Sequence, residues 1–157
     1  MENYLDILEE SLIKKSQVLD RVQCISQKQL DLLDSAEMSL ESYDKYVDEK
    51  SECIDALNRL DDGFEVLYQK IAGELQDNRQ KYGEQIKRLQ KLIAEVTEKS
   101  VSIQALEARN KSRVEDYFRK EKKNIRTARL TSQAALNYYQ NMNNIKNVQA
   151  QFLDKKK

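Results

Sequence analysis

A chain of 157 residues with no proline, no histidine and only three glycines, 34% of it charged, has the composition of long solvated helices, not of a layered sheet domain. Its formal net charge is zero, but residues 1–108 carry 14 Lys and Arg against 23 Asp and Glu, a balance of −9, and residues 109–157 carry 13 against 4, a balance of +9. A mean hydropathy of −0.81 leaves each helix only a narrow apolar stripe to bury, while a hydrophobic fraction of 39% argues against wholesale disorder.

The first apolar stripe is Leu5, Leu8, Leu12, Leu19, Val22, Leu30 and Leu33, which predicts a helix over 3–33 with Asn3 as its cap and Asp6 in the capping-box position. Three serines break the pattern over 34–42, and Ser39 and Ser42 are the candidate caps of the next helix. A second helix is expected over 42–76 through Tyr43, Val47, Cys53 or Ile54, Leu57, Leu60, Phe64, Leu67, Ile71 and Leu75, kinked or briefly broken near Gly63. The reversal is placed at 77–78, where Asn78 tolerates a left-handed backbone. A third helix is expected over 79–128, carried by Tyr82, Ile86, Leu89, Ile93, Val96, Ser100, Ile103 and Leu106. The expected architecture is all-α, an elongated antiparallel bundle of three to four long helices over 1–128, followed by an amphipathic, partly mobile segment over 129–157.

Chemistry is sparse. The missing histidine removes the commonest general base and metal ligand. Gly63, Gly73 and Gly83 stand singly in helical pattern and form no phosphate loop. The carboxylate pairs Glu9-Glu10 and Asp61-Asp62 read as solvated faces and caps. Neither an enzyme nor a cofactor or metal site is expected. Cys24 and Cys53 read as small buried hydrophobes; a hairpin centred near residue 38 would set them level with each other, in reach of contact. No apolar run is long enough to cross a membrane, and the start MENYLDILEE lacks the basic and apolar blocks of a signal peptide, so a cytoplasmic protein is expected.

Beyond Phe118 comes the basic run RKEKKNIRTAR, and then Ala135, Tyr138, Met142, Ile145, Val148 or Gln149, and Phe152 keep helical spacing among Asn and Gln. Such a segment either orders against a partner groove or docks back onto the bundle, and the basic charge either meets the acidic body or seeks an acidic partner.

The order of features, with YDKYVDEKSECIDAL after a serine-containing turn, Lys50 between apolar helical residues, and LEARNKS near residue 110, resembles the FlgN family of flagellar type III export chaperones over residues 1–140. The resemblance implies a long helical bundle without enzymatic activity that binds the hook-filament junction proteins before export, with transient contact to the membrane export apparatus. It also implies cargo contact through the C-terminal amphipathic region, here Leu130, Leu136, Tyr138, Tyr139, Met142, Ile145 and Phe152. Lys111, Ser112 and Arg113 depart from the family, which tends to be apolar after this asparagine.

Two other readings compete. A structural coiled-coil module would pair the long stripe with a copy of itself in a homodimer, serving as a tether. A nucleic-acid contact by the nine Lys and Arg of residues 109–129 is disfavoured, because the acidic body would repel a duplex.

Overall fold

The computed structural model describes residues 2–121, and within them the chain is an all-α bundle of three helices: α1 (Glu2–Leu33), α2 (Leu40–Asp77) and α3 (Gly83–Glu121). At 1.5 Å per residue they are roughly 48, 57 and 59 Å long. Lys15 of α1 meets Asp61 of α2, so levels on these antiparallel helices sum to about 76. α3 returns parallel to α1, with cross-contacts between residues 79 to 84 apart in sequence.

The buried seams share one rule. On α2 they fall at Tyr43, Val47, Lys50, Ile54, Leu57, Asp61, Phe64, Tyr68, Ile71 and Leu75, alternately four and three residues apart. α1 keeps the same alternation from Leu5 to Gln29, and α3 from Tyr82 to Val114. A strict seven-residue repeat is that of a left-handed coiled coil, in which each helix offers two positions in seven to the core. Inside, three apolar clusters follow one another along the axis. One is built around Leu8, Phe64 and Leu89, one around Val22, Leu57 and Ile103, and one around Tyr43, Val47, Val114 and Phe118.

That rule explains several departures from the sequence reading. α2 runs through Gly63 without a break, because Phe64, Tyr68 and Ile71 continue the seam in phase with Leu57 and Asp61. Asp61 is buried in that seam and is no solvated cap. In α3 the seam takes Glu107, leaving Leu106 half-buried beside it. Cys53 is buried but Cys24 lies on the outward face of α1, so both thiols are free even though the hairpin register sets them level.

Helix ends follow local chemistry. Ser39 is extended (φ −139°, ψ 153°) and its hydroxyl oxygen accepts the Ser42 N–H at 3.1 Å, the capping expected of it. Asn3 caps nothing, since α1 already begins at Glu2. At the other turn Asn78 has φ −123°, outside the left-handed region; it closes α2 by donating its side-chain amide to the Glu74 carbonyl at 2.8 Å and its backbone N–H to that of Leu75 at 3.2 Å. The reversal is where the sequence placed it, by a different device.

Candidate functional site

Two layers of buried charge divide the three apolar clusters. In the first, Lys15 Nζ lies 2.6 Å from Asp61 Oδ1, with the side chains only 2% and 4% exposed. In the second, Lys50 Nζ of α2 lies 2.7 Å from Glu107 Oε1 of α3, and Ser26 of α1 donates its hydroxyl to that same oxygen. Asn110 Nδ2 adds a hydrogen bond to the Ser26 carbonyl at 3.0 Å, so all three helices are tied at this level. Burial holds the Lys50 ammonium below its usual pKa, with the Glu107 carboxylate pulling the other way. Burial, and after it the charges of Glu107 and Asp44, holds the neighbouring Tyr43 phenol above its ordinary value.

Polar atoms without a hydrogen-bond partner lie near the second layer at Gln29, Asp44 and Asn110 and, at Gln90, beside the first apolar cluster instead. Among the described residues, nothing hydrogen-bonds the side-chain amide of Gln29 or Oδ1 of Asn110, and the same holds for Oδ1 of Asp44 and Nε2 of Gln90. Asp44 and Gln90 share a setting: each lies on the flank of its helix turned away from α1.

The flanks are distinguished by their contacts. α1 uses both of its own: Ile7, Ser11 and Lys14 face Leu60, Gly63 and Leu67 of α2 across a shallow depression of about 240 Å³, while Asp6, Glu9 and Asp20 bind Gln85, Arg88 and Lys99 of α3. No Cα of α2 comes within 8 Å of one on α3 among the described residues. The two helices instead meet through long side chains such as Lys50 and Glu107. Between them runs a groove with unlike edges. Its α2 edge, Asp44 to Gln76 in steps of four and three, holds Asp44, Asp48, Asp55, Asp62 and Glu65 and no basic residue. Its α3 edge, followed by the same steps, presents Lys87, Gln90, Ala94, Thr97, Val101, Gln104, Ala108 and Lys111, with Val101 53% exposed.

The cargo-contact residues expected from sequence, Leu130, Leu136, Tyr138, Tyr139, Met142, Ile145 and Phe152, lie outside the described residues. So do residues 122–128 of the third expected helix and the proposed boundary at 128–129. Among the described residues no cluster of three or more metal-ligating side chains occurs, and no helix is long and apolar enough to cross a membrane. The buried residues that the sequence reading passed over, Lys15, Ser26, Gln29, Asp61 and Glu107, could have been found by holding the three-four alternation fixed through polar positions. No protein-family model, curated protein or solved structure matches the chain.

Proposed function

We propose that this protein is a non-catalytic binding protein that holds an amphipathic helix of a partner, and specifically a cytoplasmic export chaperone for flagellar hook-filament junction proteins. The observation that carries the reading is the corner between α2 and α3, whose edges have no partner helix among the described residues, in a protein whose buried charges are engaged in holding the helices together. The resemblance of YDKYVDEKSECIDAL and LEARNKS to the FlgN family names the partner class.

In this reading the apolar residues after 128, Leu130, Leu136, Tyr138, Tyr139, Met142, Ile145 and Phe152, pack against a helical segment of the cargo. They shield surface that would otherwise polymerise early and release it to the export apparatus at the membrane. Ordering of such a segment on binding costs free energy, which keeps affinity moderate and the cargo releasable. Co-purification from flagellated cells tests this: a chain lacking 129–157 is expected to lose the junction proteins that the full chain retains. Undiminished capture by the shortened chain sinks the site assignment, and capture of no secreted subunit by the full chain sinks the function.

The strict heptads of all three helices favour a second reading, a coiled-coil oligomerisation or tethering module. Sedimentation separates the two, since a homodimer that persists on dilution supports the module and a monomer supports the chaperone.

A further inference from the structure

We propose that the end of the bundle next to the 34–39 turn, residues 26–50 together with 107–118, opens and closes as one cooperative unit while the rest of the bundle stays packed. This conformational device is a property of the helices themselves, independent of what the protein binds.

The register of the helices locates the boundary of that unit. Residues of α1 and α2 whose numbers sum to about 76 share a level, as Lys15 and Asp61 do, and α3 adds the residue 81 positions beyond that of α1, as Glu107 is from Ser26. By this rule Ser26, Lys50 and Glu107 make one level, and Gln29, Val47 and Asn110 make the next. Five of these six side chains are polar, and those five are at most 4% exposed. The Lys15–Asp61 level stands instead between Leu12, Phe64 and Ile93 on one side and Leu19, Leu57 and Ser100 on the other. One charged level therefore interrupts the apolar core there, whereas two consecutive polar levels interrupt it at Ser26 and Gln29.

Those two levels set register but add little cohesion. The attraction between Lys50 and Glu107 is offset by the hydration both lose, and a polar residue at a seam position specifies register at a cost in stability. On the adjoining level, both amide atoms of Gln29 and Oδ1 of Asn110 have no hydrogen-bond partner among the described residues. Water supplies those bonds once the end opens, so opening relieves a penalty that the closed state carries.

Little apolar surface holds the end shut from the far side. Among the described residues its cluster has four buried members, Tyr43, Val47, Val114 and Phe118, with Leu30 a fifth buried apolar residue in these stretches. The clusters of the body have eleven and eight. The opposite tip of the bundle differs, because its levels stay apolar to the end through Leu5, Ile71 and Ile86. Low local density of buried apolar contacts is the mark of a segment that opens below the global free energy, and the two polar levels give it a sharp edge.

Native-state amide hydrogen exchange on the full chain, under conditions where closing outpaces exchange, is the test. After correction for intrinsic rates, amides of 26–33, 43–50 and 107–116 are expected to exchange at least about ten-fold faster than those of 8–22, 54–71 and 89–103, and to share one level of protection. Equal protection in the two parts, or lower protection in the body, overturns the proposal. So does a smooth decline toward the 34–39 turn, which is fraying of helix tips. The urea dependence of exchange at this end should have a slope shared by its amides and shallower than that of the body, since less surface is exposed. A slope near zero, or one equal to that of the body, refutes the unit. Ile93→Val, a mild change inside the body, is expected to speed exchange of the body roughly two- to ten-fold and leave the end unchanged. Equal acceleration in both parts would mean that the bundle opens as a whole. Gln29→Leu removes the unpaired amide at little change of volume and should slow exchange of the end at least about five-fold. Unchanged or faster exchange there overturns the assignment to the polar levels.

Discussion

The two buried charge layers are built from the same chemistry and differ in what they join. Lys15 and Asp61 tie α1 to α2, helices already packed closely; Lys50 and Glu107 bridge α2 and α3, whose Cα atoms nowhere come within 8 Å of each other among the described residues, and recruit Ser26 of α1 and Asn110 of α3. The first layer is a pair, the second a network. Because a buried charge is tolerable only when paired, each layer penalises any axial slip of its helices, but only the second fixes the position of α3 against both others.

The most severe way to break the comparison is to strip one partner. Glu107→Ala and Asp61→Ala each leave an ammonium buried, and each is expected to cost about 3–5 kcal/mol in urea unfolding. Glu107→Ala should be the worse, since the Ser26 hydroxyl loses its acceptor too. Losses below about 1 kcal/mol in both would mean that water reaches the layers.

Replacing whole pairs sharpens the contrast. Lys15→Met with Asp61→Leu is expected to be neutral or stabilising by up to about 4 kcal/mol, as hydrophobic replacement of isolated buried pairs often is. Lys50→Met with Glu107→Leu should lag behind it by roughly 1–3 kcal/mol, the cost of leaving the Ser26 hydroxyl unpaired. Equal outcomes would show that the network adds nothing to the pair.

Alkaline titration isolates the second layer further. The Tyr43 phenol has a folded pKa above its ordinary value of 10, so its contribution is complete below pH 10 and is lost as pH climbs from there. Lys50, with a folded pKa below 10.5, acts in the opposite sense: from its folded pKa up to 10.5 the unfolded chain holds more protons, and stability rises with pH. Tyr43→Phe is therefore expected to flatten the loss of stability above pH 10, measured as denaturant midpoint against pH. An unchanged alkaline limb would place the phenol in water.

Two substitutions remote from both layers set the scale of ordinary effects. Ser39→Ala should cost about 1 kcal/mol by removing the cap of α2. Gly63→Ala should add roughly 0.5–1 kcal/mol, because the position is helical and a new methyl meets nothing within 4 Å. A destabilising Gly63→Ala would favour the kink that the sequence suggested.

Much of this fold was legible in the sequence because helix phase survives in the apolar residues alone: Leu5 to Leu12 and Tyr82 to Val96 mark the seams correctly, whereas between Phe64 and Ile71 the expected Leu67 is half-buried and Tyr68 holds the seam. The charge layers were not legible in the same way. Hydrophobicity steers the eye to Leu60 and Leu106, which lie one residue before the seam positions held by Asp61 and Glu107. A carboxylate belongs at such a position only if a cation from another helix arrives there, and that pairing is a property of the assembled bundle. Lys50 stood out in the sequence as a lysine among apolar neighbours, but its partner lies 57 residues away in sequence. The groove edge was hidden for a similar reason: Asp48, Asp55 and Asp62 look like ordinary surface acids until the flank turned away from α1 is known.

The parallel pairing of α1 and α3 bears on the order in which the chain assembles. The hairpin of α1 and α2 closes through a short turn, whereas α3 must find α1 across separations of 79 to 84 residues, and long loops slow the search. Arrival of α3 is thus expected to be the slower step of assembly, and until Glu107 arrives with it, Lys50 lacks the carboxylate it pairs with in the folded bundle.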